Sequence, residues 1–359
     1  MIEELVQSLA KPPYTVPQAA RDHTLLSGLN RLTRLHYERC LPYRRIIDGY
    51  WGGQTHSGDL EAVPYLPVSI FKSQLLQSVP DSEVRVTLTS SGTTGQAVSR
   101  IRLDSASSTI QQRALANSLM HVLGKQRLPM LVIDTDAVFK DPKLMSARGA
   151  GVLGIMRYGR DHVFALRPDL EADYDAVAAF LDSLEGRPFF IFGFTFMVWV
   201  KFYELFRNRG LDLSNAVLIH SGGWKKLAER AVSNEEFRAA FREAFGLTRI
   251  HNFYGMVEQI GTIFLEGPGG LLFPPNFADV IIRDARTFKP APMGHTGIVQ
   301  LLSLLPHSYP GHSVLTEDLG VIESINDYEG EWAGKGIRIL GRLPRSELRG
   351  CSDVIGMAA

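Results

Sequence analysis

Apolar residues in the first part of the chain recur at helical spacing. Leucines within residues 19–37 fall mostly three or four positions apart, which predicts a helix with one apolar face: Leu25, Leu26, Leu29, Leu32 and Leu35. Pro64 and Pro67 then favour an extended path, because a proline restricts the residue before it. A short helix is predicted next, with Ser69 as its N-cap. Residues 1–80 are therefore predicted to be a mostly helical segment.

The pattern changes to alternating strands and helices over residues 81–266. The predicted strands are 84–89, 130–134, 189–192, 217–220 and 248–252. The predicted helices are 105–123, 171–184, 196–207 and 233–245, the last with Ser233 and Glu236 as a capping box. This alternation is typical of an α/β fold with a largely parallel sheet.

Short strands separated by Gly and Pro turns follow in residues 267–359. They are predicted at 278–283, 297–302, 314–316 and 337–340. This pattern of short strands and turns predicts a smaller, antiparallel β subdomain that ends in a tail containing Cys351.

Composition and charge narrow the function classes. The chain has 359 residues, of which 45% are hydrophobic and 21% charged, with a formal net charge of zero. Such a neutral chain has no electrostatic footprint for nucleic acid or an anionic membrane. Its two cysteines, Cys40 and Cys351, make no disulfide framework, and no signal peptide or membrane-length apolar run is evident. A cytoplasmic location is therefore predicted.

A loop of hydroxyl residues and glycines follows the first predicted strand: Ser90, Ser91, Gly92, Thr93, Thr94 and Gly95. Glycines let backbone N–H groups approach a ligand, and hydroxyls add donors without bulk. The loop therefore predicts a site for the phosphates of a nucleotide. It is not a Walker loop, because no Gly-Lys-Ser/Thr follows. The alternative is a plain Ser/Thr/Gly turn between two strands.

An aromatic residue, a glycine and a carboxylate follow the strand 248–252, where ligands of parallel sheets usually bind. Tyr254 and Gly255 could flank a nucleobase, and Glu258 could bind Mg²⁺ shared with phosphates. The alternative is a buried tyrosine and a glutamate that stabilises the start of a helix.

Three further strand ends offer polar or glycine-rich groups. Gly222 and Gly223 would let a flat ring approach the backbone, or would simply form a strand-to-helix turn. Asp318 could accept hydrogen bonds from ribose hydroxyls, or cap its own turn. Arg342, which follows Gly341, could pair with phosphate or ribose.

Two other features leave alternatives open. The thiol of Cys351 lies close in sequence to Arg349 and could be a nucleophile, although an inert cysteine is the simpler interpretation of the residues alone. The glycines of residues 149–154 match G-x-G-x-x-G, but no strand directly precedes them, so NAD-dependent oxidoreductase activity is disfavoured. We predict a glycine loop over the active site there.

These motifs, in this order, resemble those of the adenylate-forming superfamily over most of the chain. The chain looks closest to the acyl-protein synthetase family (LuxE-like), related to phenylacetate–CoA ligases. The supporting stretches are 63–72, 146–151, 220–226 and 348–352. The resemblance implies the N-terminal-domain fold of that superfamily, with a parallel-sheet subdomain and a smaller antiparallel one.

The resemblance also implies roles for the site residues, with ATP and Mg²⁺ as cofactors. Residues 90–95 would bind the ATP phosphates, while Gly222, Gly223 and Tyr254 would line the adenine pocket. Glu258 would hold Mg²⁺, Asp318 the ribose and Arg342 ribose or phosphate. A cysteine near the C-terminus accepts the acyl group in this family, and Cys351 matches it. Such synthetases act beside an acyl-transferase and a reductase.

The chain departs from the superfamily in two respects. It is expected to lack the full C-terminal domain, whose lysine contacts the carboxylate and α-phosphate. The usual Pro-Lys after the phosphate loop is also missing. Lys72 is the first candidate for a replacement cation and Arg100 the second, although Lys72 could equally face solvent.

The predicted function is ATP-dependent activation of a carboxylic acid, most simply a fatty acid, as an acyl-adenylate. Phe194, Thr195 and Met256 are the candidate walls of the acid pocket. The acyl group would then pass to a thiol, Cys351 being the candidate. Two alternatives remain. The acceptor could be coenzyme A, a carrier-protein thiol or an amine, or the chain could be a non-catalytic nucleotide-binding subunit.

Overall fold

A computed structural model describes residues 3–90, 98–139, 147–224, 229–326 and 332–343. Its α-helices are α1 (Glu3–Ala10), α2 (Gln18–Arg39), α3 (Leu41–Trp51), α4 (Ile70–Ser73), α5 (Ser105–Leu123), α6 (Ala147–Met156), α7 (Tyr174–Leu184), α8 (Thr195–Met197), α9 (Glu204–Phe206) and α10 (Asn234–Phe245), and a π-helix, Val198–Tyr203, joins α8 to α9. Its strands are β1 (Leu66–Pro67), β2 (Val86–Thr89), β3 (Arg100–Leu103), β4 (Leu128–Val132), β5 (Gly159–Phe164), β6 (Phe189–Phe194), β7 (Ala216–Ser221), β8 (Arg249–Tyr254), β9 (Phe264–Glu266), β10 (Leu272–Phe273), β11 (Ala278–Arg283), β12 (Gly297–Ser303), β13 (Ser313–Ile325) and β14 (Lys335–Arg342).

The described residues fall into two compact units. The first contains the described parts of 3–90, 98–121 and 255–343, and the second contains those of 122–254. The predicted division at residues 80 and 266 stays a prediction.

The second unit is built on a parallel sheet, with strands in the order β8-β7-β6-β4-β5. Every residue of β6 is buried, as expected for a strand covered on both faces. Gly193 pairs with His220, and Ser221 with Phe253, so the carboxyl ends of these strands lie side by side. The expected parallel α/β fold is confirmed.

The best-predicted helix of this unit is α10. The Ser233 hydroxyl accepts from the Glu236 N–H, and the Glu236 carboxylate accepts from the Ser233 N–H, which forms the predicted capping box. The helix ends at Gly246, whose φ of 68° is a left-handed conformation that glycine adopts without strain. Local sequence therefore specifies both ends of α10.

The first unit contains a largely antiparallel sheet in the order β11-β12-β13-β14-β10-β9, with β1 parallel to β13. Helix α2 packs close to this sheet, because a Cβ on Gly28 would lie only 2.6 Å from Leu304 Cδ2. The antiparallel subdomain predicted from the Gly- and Pro-punctuated strands is confirmed. Strands β2 and β3 form a separate antiparallel hairpin in this unit.

The structure corrects three local predictions. The strand before the phosphate loop is not part of the parallel sheet, since β2 pairs with the unpredicted β3. Ser69 makes no side-chain capping hydrogen bond to α4. Gly149, Gly151 and Gly154 lie within helix α6 and not in a glycine loop. Glycine disfavours a helix, so tertiary contacts of α6 must override the local preference.

Two buried histidines join α2 to the sheet of the first unit. The His36 ring bonds the Ser78 hydroxyl at 2.8 Å and the Pro306 carbonyl at 3.1 Å, and His312 Nε2 lies 2.9 Å from the Thr33 hydroxyl. The two rings stack with centroids 5.1 Å apart. Burial lowers the pKa of His36 well below its ordinary value and that of His312 to about 3, with neighbouring histidines adding to both shifts.

These lowered pKa values predict an acid-sensitive fold. The unfolded chain binds protons at these histidines below about pH 6.5 while the folded chain does not, so stability falls as pH drops through 6.5 towards the folded values. We expect His312 to account for a loss of about 2 kcal/mol between pH 7 and pH 5 in urea unfolding, and His36 to act in the same direction. His312→Gln should flatten this dependence, whereas His295→Gln, at an exposed position, should not. An equal slope in the wild type and His312→Gln would contradict the assignment.

Candidate active site

The loop predicted to bind phosphate lies between β2 and β3. Thr89 pairs with Arg100 across the hairpin, and the next residues inward, Ser90 and Ser99, bond to each other twice. The Ser90 N–H donates to the Ser99 carbonyl at 3.1 Å, and the Ser99 N–H donates to the Ser90 hydroxyl at 2.9 Å. These bonds fix the two ends of the loop. Ser91, Gly92, Thr93, Thr94 and Gly95 lie outside the described residues.

Glu258 sits on a short 3₁₀ turn, Val257–Gln259, that is anchored from both sides. The Tyr309 hydroxyl donates to the Glu258 carbonyl at 2.9 Å. The Gln259 amide donates to the carbonyls of Leu301 and Gly311, at 3.2 and 2.8 Å. Because these bonds hold the backbone, the buried Glu258 side chain extends from a rigid base.

Three side chains set the electrostatics of the Glu258 carboxyl group. Burial raises its pKa, the neighbouring Ser99 hydroxyl and Lys72 ammonium lower it, and the Glu317 carboxylate raises it. Lys72, on α4, is half-buried, so its ammonium acts on the Glu258 pKa without being fully removed from water. The structure thus brings Ser99, at one end of the phosphate loop, together with the predicted metal ligand and the predicted cation.

The predicted ribose-binding residues meet on neighbouring strands. Asp318 of β13 is the register partner of Arg342 of β14, and Arg342 Nε lies 3.6 Å from Asp318 Oδ1. The Asp318 N–H donates to the Thr316 hydroxyl at 3.1 Å, which holds the backbone in place. Glu317, which acts on the Glu258 pKa, directly precedes Asp318 on β13.

The second unit places other predicted residues at the carboxyl edge of its sheet. Phe194 ends β6, and a Cβ on the exposed Gly222 would lie 3.5 Å from the Phe194 ring. Gly222 has a φ of 88°, which favours glycine. The buried Thr195 hydroxyl lies 2.9 Å from His220 Nδ1. Gly223 is exposed beside Gly222, and Tyr254 is half-buried at the end of β8.

The remaining predicted residues lie on the surface, against the core or outside the described residues. Gly255 is exposed, and Arg100 is exposed on β3. Met256, predicted as an acid-pocket wall, packs against the apolar core of the first unit that contains Cys40 and Tyr309. Cys351 lies outside the described residues.

Sequence reasoning missed Ser99, Glu317 and Tyr309. Ser99 could have been found as the serine that mirrors Ser90 across a hairpin, whereas Tyr309 gives no local signal because its contact is 51 residues away. Within the part of the chain that the structure describes, no group of three or more His, Cys, Asp or Glu side chains is placed to hold a metal ion. A buried single carboxylate still suits Mg²⁺, which usually shares its coordination sphere with phosphates and water.

Comparison with known proteins identifies the family. Residues 12–359 match the model of the family described as "Acyl-protein synthetase, LuxE". The chain belongs to the LuxE family of acyl-protein synthetases. The family suggested by the order of the motifs is therefore confirmed.

Two curated relatives of this LuxE-family chain carry the name long-chain-fatty-acid–luciferin-component ligase. The protein from Vibrio harveyi is 26% identical over 340 residues, covering 88% of this chain and 83% of the relative. That from Aliivibrio fischeri is 20% identical over 343 residues, covering 88% and 84%. Both relatives are thus aligned along most of their length.

A solved structure supports the fold assignment. An open conformation of 2-hydroxyisobutyryl-CoA ligase, in complex with 2-HIB-AMP and CoA, is 19% identical with a TM-score of 0.65. The match covers 92% of the LuxE-family chain and 76% of that ligase. The adenylate-forming fold is therefore confirmed. No described helix is both long and apolar enough to span a membrane.

Proposed function

We propose that this LuxE-family protein activates a long-chain fatty acid with ATP as an acyl-adenylate and transfers the acyl group to a thiol, Cys351 being the acceptor. The observation that supports the proposal most directly is in the first unit. Segments far apart in sequence come together there: the Ser90–Ser99 loop base, Lys72 and Glu258. Glu317 links Glu258 to the strand that carries the Asp318–Arg342 pair. These groups supply the hydroxyls, cation, carboxylates and guanidinium that a magnesium–nucleotide requires.

In the first step, a carboxylate oxygen attacks the α-phosphorus of ATP, the bond to the β-phosphate oxygen breaks, and pyrophosphate leaves. Negative charge builds on phosphate oxygens, so fixed positive groups accelerate the step. Residues 90–95 would hold the phosphates, with the Ser90–Ser99 bonds defining the base of the loop. Mg²⁺, held by Glu258, would neutralise phosphate charge.

Lys72 is the proposed cation of the nucleotide site. Because the Lys72 ammonium acts on Glu258, it would lie beside the phosphates that share the Mg²⁺ ion with Glu258. Asp318 would accept the ribose hydroxyls, while its ion pair with Arg342 orients the carboxylate. Gly222, Gly223, Tyr254 and Gly255 would leave room for adenine, and Phe194 and Thr195 would contact the acid.

In the second step, a thiolate attacks the acyl carbonyl, the bond to the AMP oxygen breaks, and AMP leaves. The thiol proton goes to solvent when the thiolate forms. The resulting thioester would remain activated for transfer to a partner, and we propose an acyl-transferase or reductase as that partner.

Intact-protein mass spectrometry after incubation with Mg-ATP and long-chain fatty acids tests the proposal, with pyrophosphate and AMP assayed in parallel. We expect an acyl mass increment that neutral hydroxylamine removes, and peptide mapping should place it on Cys351. Pyrophosphate release without an adduct would contradict Cys351 as the acceptor and would indicate coenzyme A, a carrier protein or an amine instead. Nucleotide binding without pyrophosphate release from any acid would contradict the proposal and support the non-catalytic alternative.

A further inference from the structure

A buried ion pair lies at the carboxyl edge of the parallel sheet in the second unit. Asp134 follows β4, and Arg148 is near the start of α6. Arg148 Nε donates to Asp134 Oδ2 at 2.8 Å, and Nη2 donates to Oδ1. Both side chains are only 1% exposed. Two parallel bonds hold the guanidinium plane and neutralise its charge.

The remaining guanidinium nitrogen is unused. Arg148 Nη1 is buried and has no hydrogen-bond partner among the described residues. A buried donor without an acceptor is costly, so each such group in a native protein needs an explanation. An acceptor supplied by a ligand is one explanation, and it requires that the nitrogen lie beside the ligand's site.

One contact of α6 relates the Arg148 position to the carboxyl edge of the sheet. Gly151 follows Arg148 by three positions and therefore lies on the same face of the helix. A Cβ on Gly151 would lie 3.0 Å from Phe194 Cζ, and the same ring lies next to Gly222. Arg148 is thus one helical turn from Gly151, which lies against the aromatic ring proposed to contact the acid. Ligands of parallel sheets bind beyond the carboxyl ends of the strands, where Asp134, Phe194 and Gly222 are found.

We propose that Arg148 Nη1 binds the carboxylate of the acid substrate, an inference that rests on the proposed function. In this proposal Asp134 fixes the guanidinium plane through its two bonds, Nη1 donates to the carboxylate of the acid, and the alkyl chain of the acid lies along Phe194. A guanidinium N–H also bonds the carbonyl oxygen of an acyl-adenylate, so the same contact persists after activation. Arg148 is therefore the residue that distinguishes an acid from an alcohol of equal chain length.

The test compares the binding of dodecanoate and dodecanol by calorimetry. Both are titrated into the full chain with α,β-methylene-ATP, which cannot release pyrophosphate. We expect the wild type to bind dodecanoate about 10- to 100-fold more tightly, the usual worth of a hydrogen bond to a charged group. In Arg148→Gln this ratio should fall to near one, while the affinity for dodecanol should change less than about twofold, because the alcohol has no carboxylate for Nη1 to bind.

Two further variants separate binding from folding. Arg21→Gln makes the same substitution at an equally buried arginine of the first unit, and should leave the acid-to-alcohol ratio unchanged whatever it does to stability. If Arg148→Gln fails to fold, the double variant Asp134→Asn/Arg148→Gln replaces the ion pair by a neutral hydrogen-bonded pair, and it should also show a ratio near one.

A wild-type ratio that survives in Arg148→Gln or in the double variant would overturn the inference, as would a wild type without any preference for the acid. Because binding is measured without chemistry, this result is separate from the proposed function, whose failure would appear as absent pyrophosphate release in the wild type.

Discussion

Cys351→Ser is expected to abolish the acyl-protein adduct while pyrophosphate release from ATP and fatty acid continues. A thiolate is the attacking species, and a cysteine is a few per cent ionised at neutral pH, whereas a serine hydroxyl is inert without an activating base. The adenylate forms before the thiol acts, so the first step should not need Cys351. Intact mass and pyrophosphate assays on the same samples measure the two steps separately.

Cys40→Ala is the matched control, because Cys40 is the chain's other cysteine. It is buried between α2 and α3, and burial raises the pKa of its thiol, which keeps it protonated and unreactive. The control variant should be acylated like the wild type. An adduct that persists in Cys351→Ser and disappears in Cys40→Ala would show that Cys40, and not Cys351, accepts the acyl group.

Glu258→Gln is expected to lower the rate of pyrophosphate release by about 10²- to 10³-fold, the range found when one group that stabilises transition-state charge is removed. The amide has nearly the shape of the carboxylate but no charge for Mg²⁺. Folding should be preserved, because Tyr309 and Gln259 hold this turn through bonds that do not use the Glu258 carboxylate. The measurement is the initial rate at saturating ATP and acid.

Glu317→Gln provides the control for Glu258→Gln. Glu317 is a half-buried carboxylate that influences the Glu258 pKa, so this variant changes the local charge by the same amount. We expect a change of less than about tenfold, because Glu317 has no assigned ligand and acts only through the field. Equal losses in both variants would show that general electrostatics, and not a metal ligand at Glu258, explain the effect.

Elements whose signals are local could be predicted closely. Helix α5 spans the predicted Ser105–Leu123, and α10 has its predicted capping box. Each depends on side chains within a few residues of one another. Helix α6 was missed because its glycines suggest a loop, and its Arg148–Asp134 pair spans 14 residues. Strand β3 was not among the predicted strands, and its pairing with β2 was not foreseen, because a strand's partner is not contained in the strand's own pattern.

In the candidate site, too, some features could be predicted from the sequence and others required the structure. Motif order along the chain was sufficient to select Glu258, Asp318 and Arg342 and to point to the LuxE family. Order cannot show that Asp318 and Arg342 form an ion pair, that Lys72 acts on Glu258, or that a buried Arg148 nitrogen finds no partner in the described part of the chain.

The physical reason is the range of the interactions involved. Residue type, hydrophobic period and capping act over one or two helical turns, so they can be recognised along the chain. The burial that raises the Glu258 pKa, and the hydrogen bond from Tyr309 that holds its backbone, arise between segments that meet only after folding. The sequence therefore names the chemical groups of this LuxE-family protein, and the tertiary structure decides which of them act together.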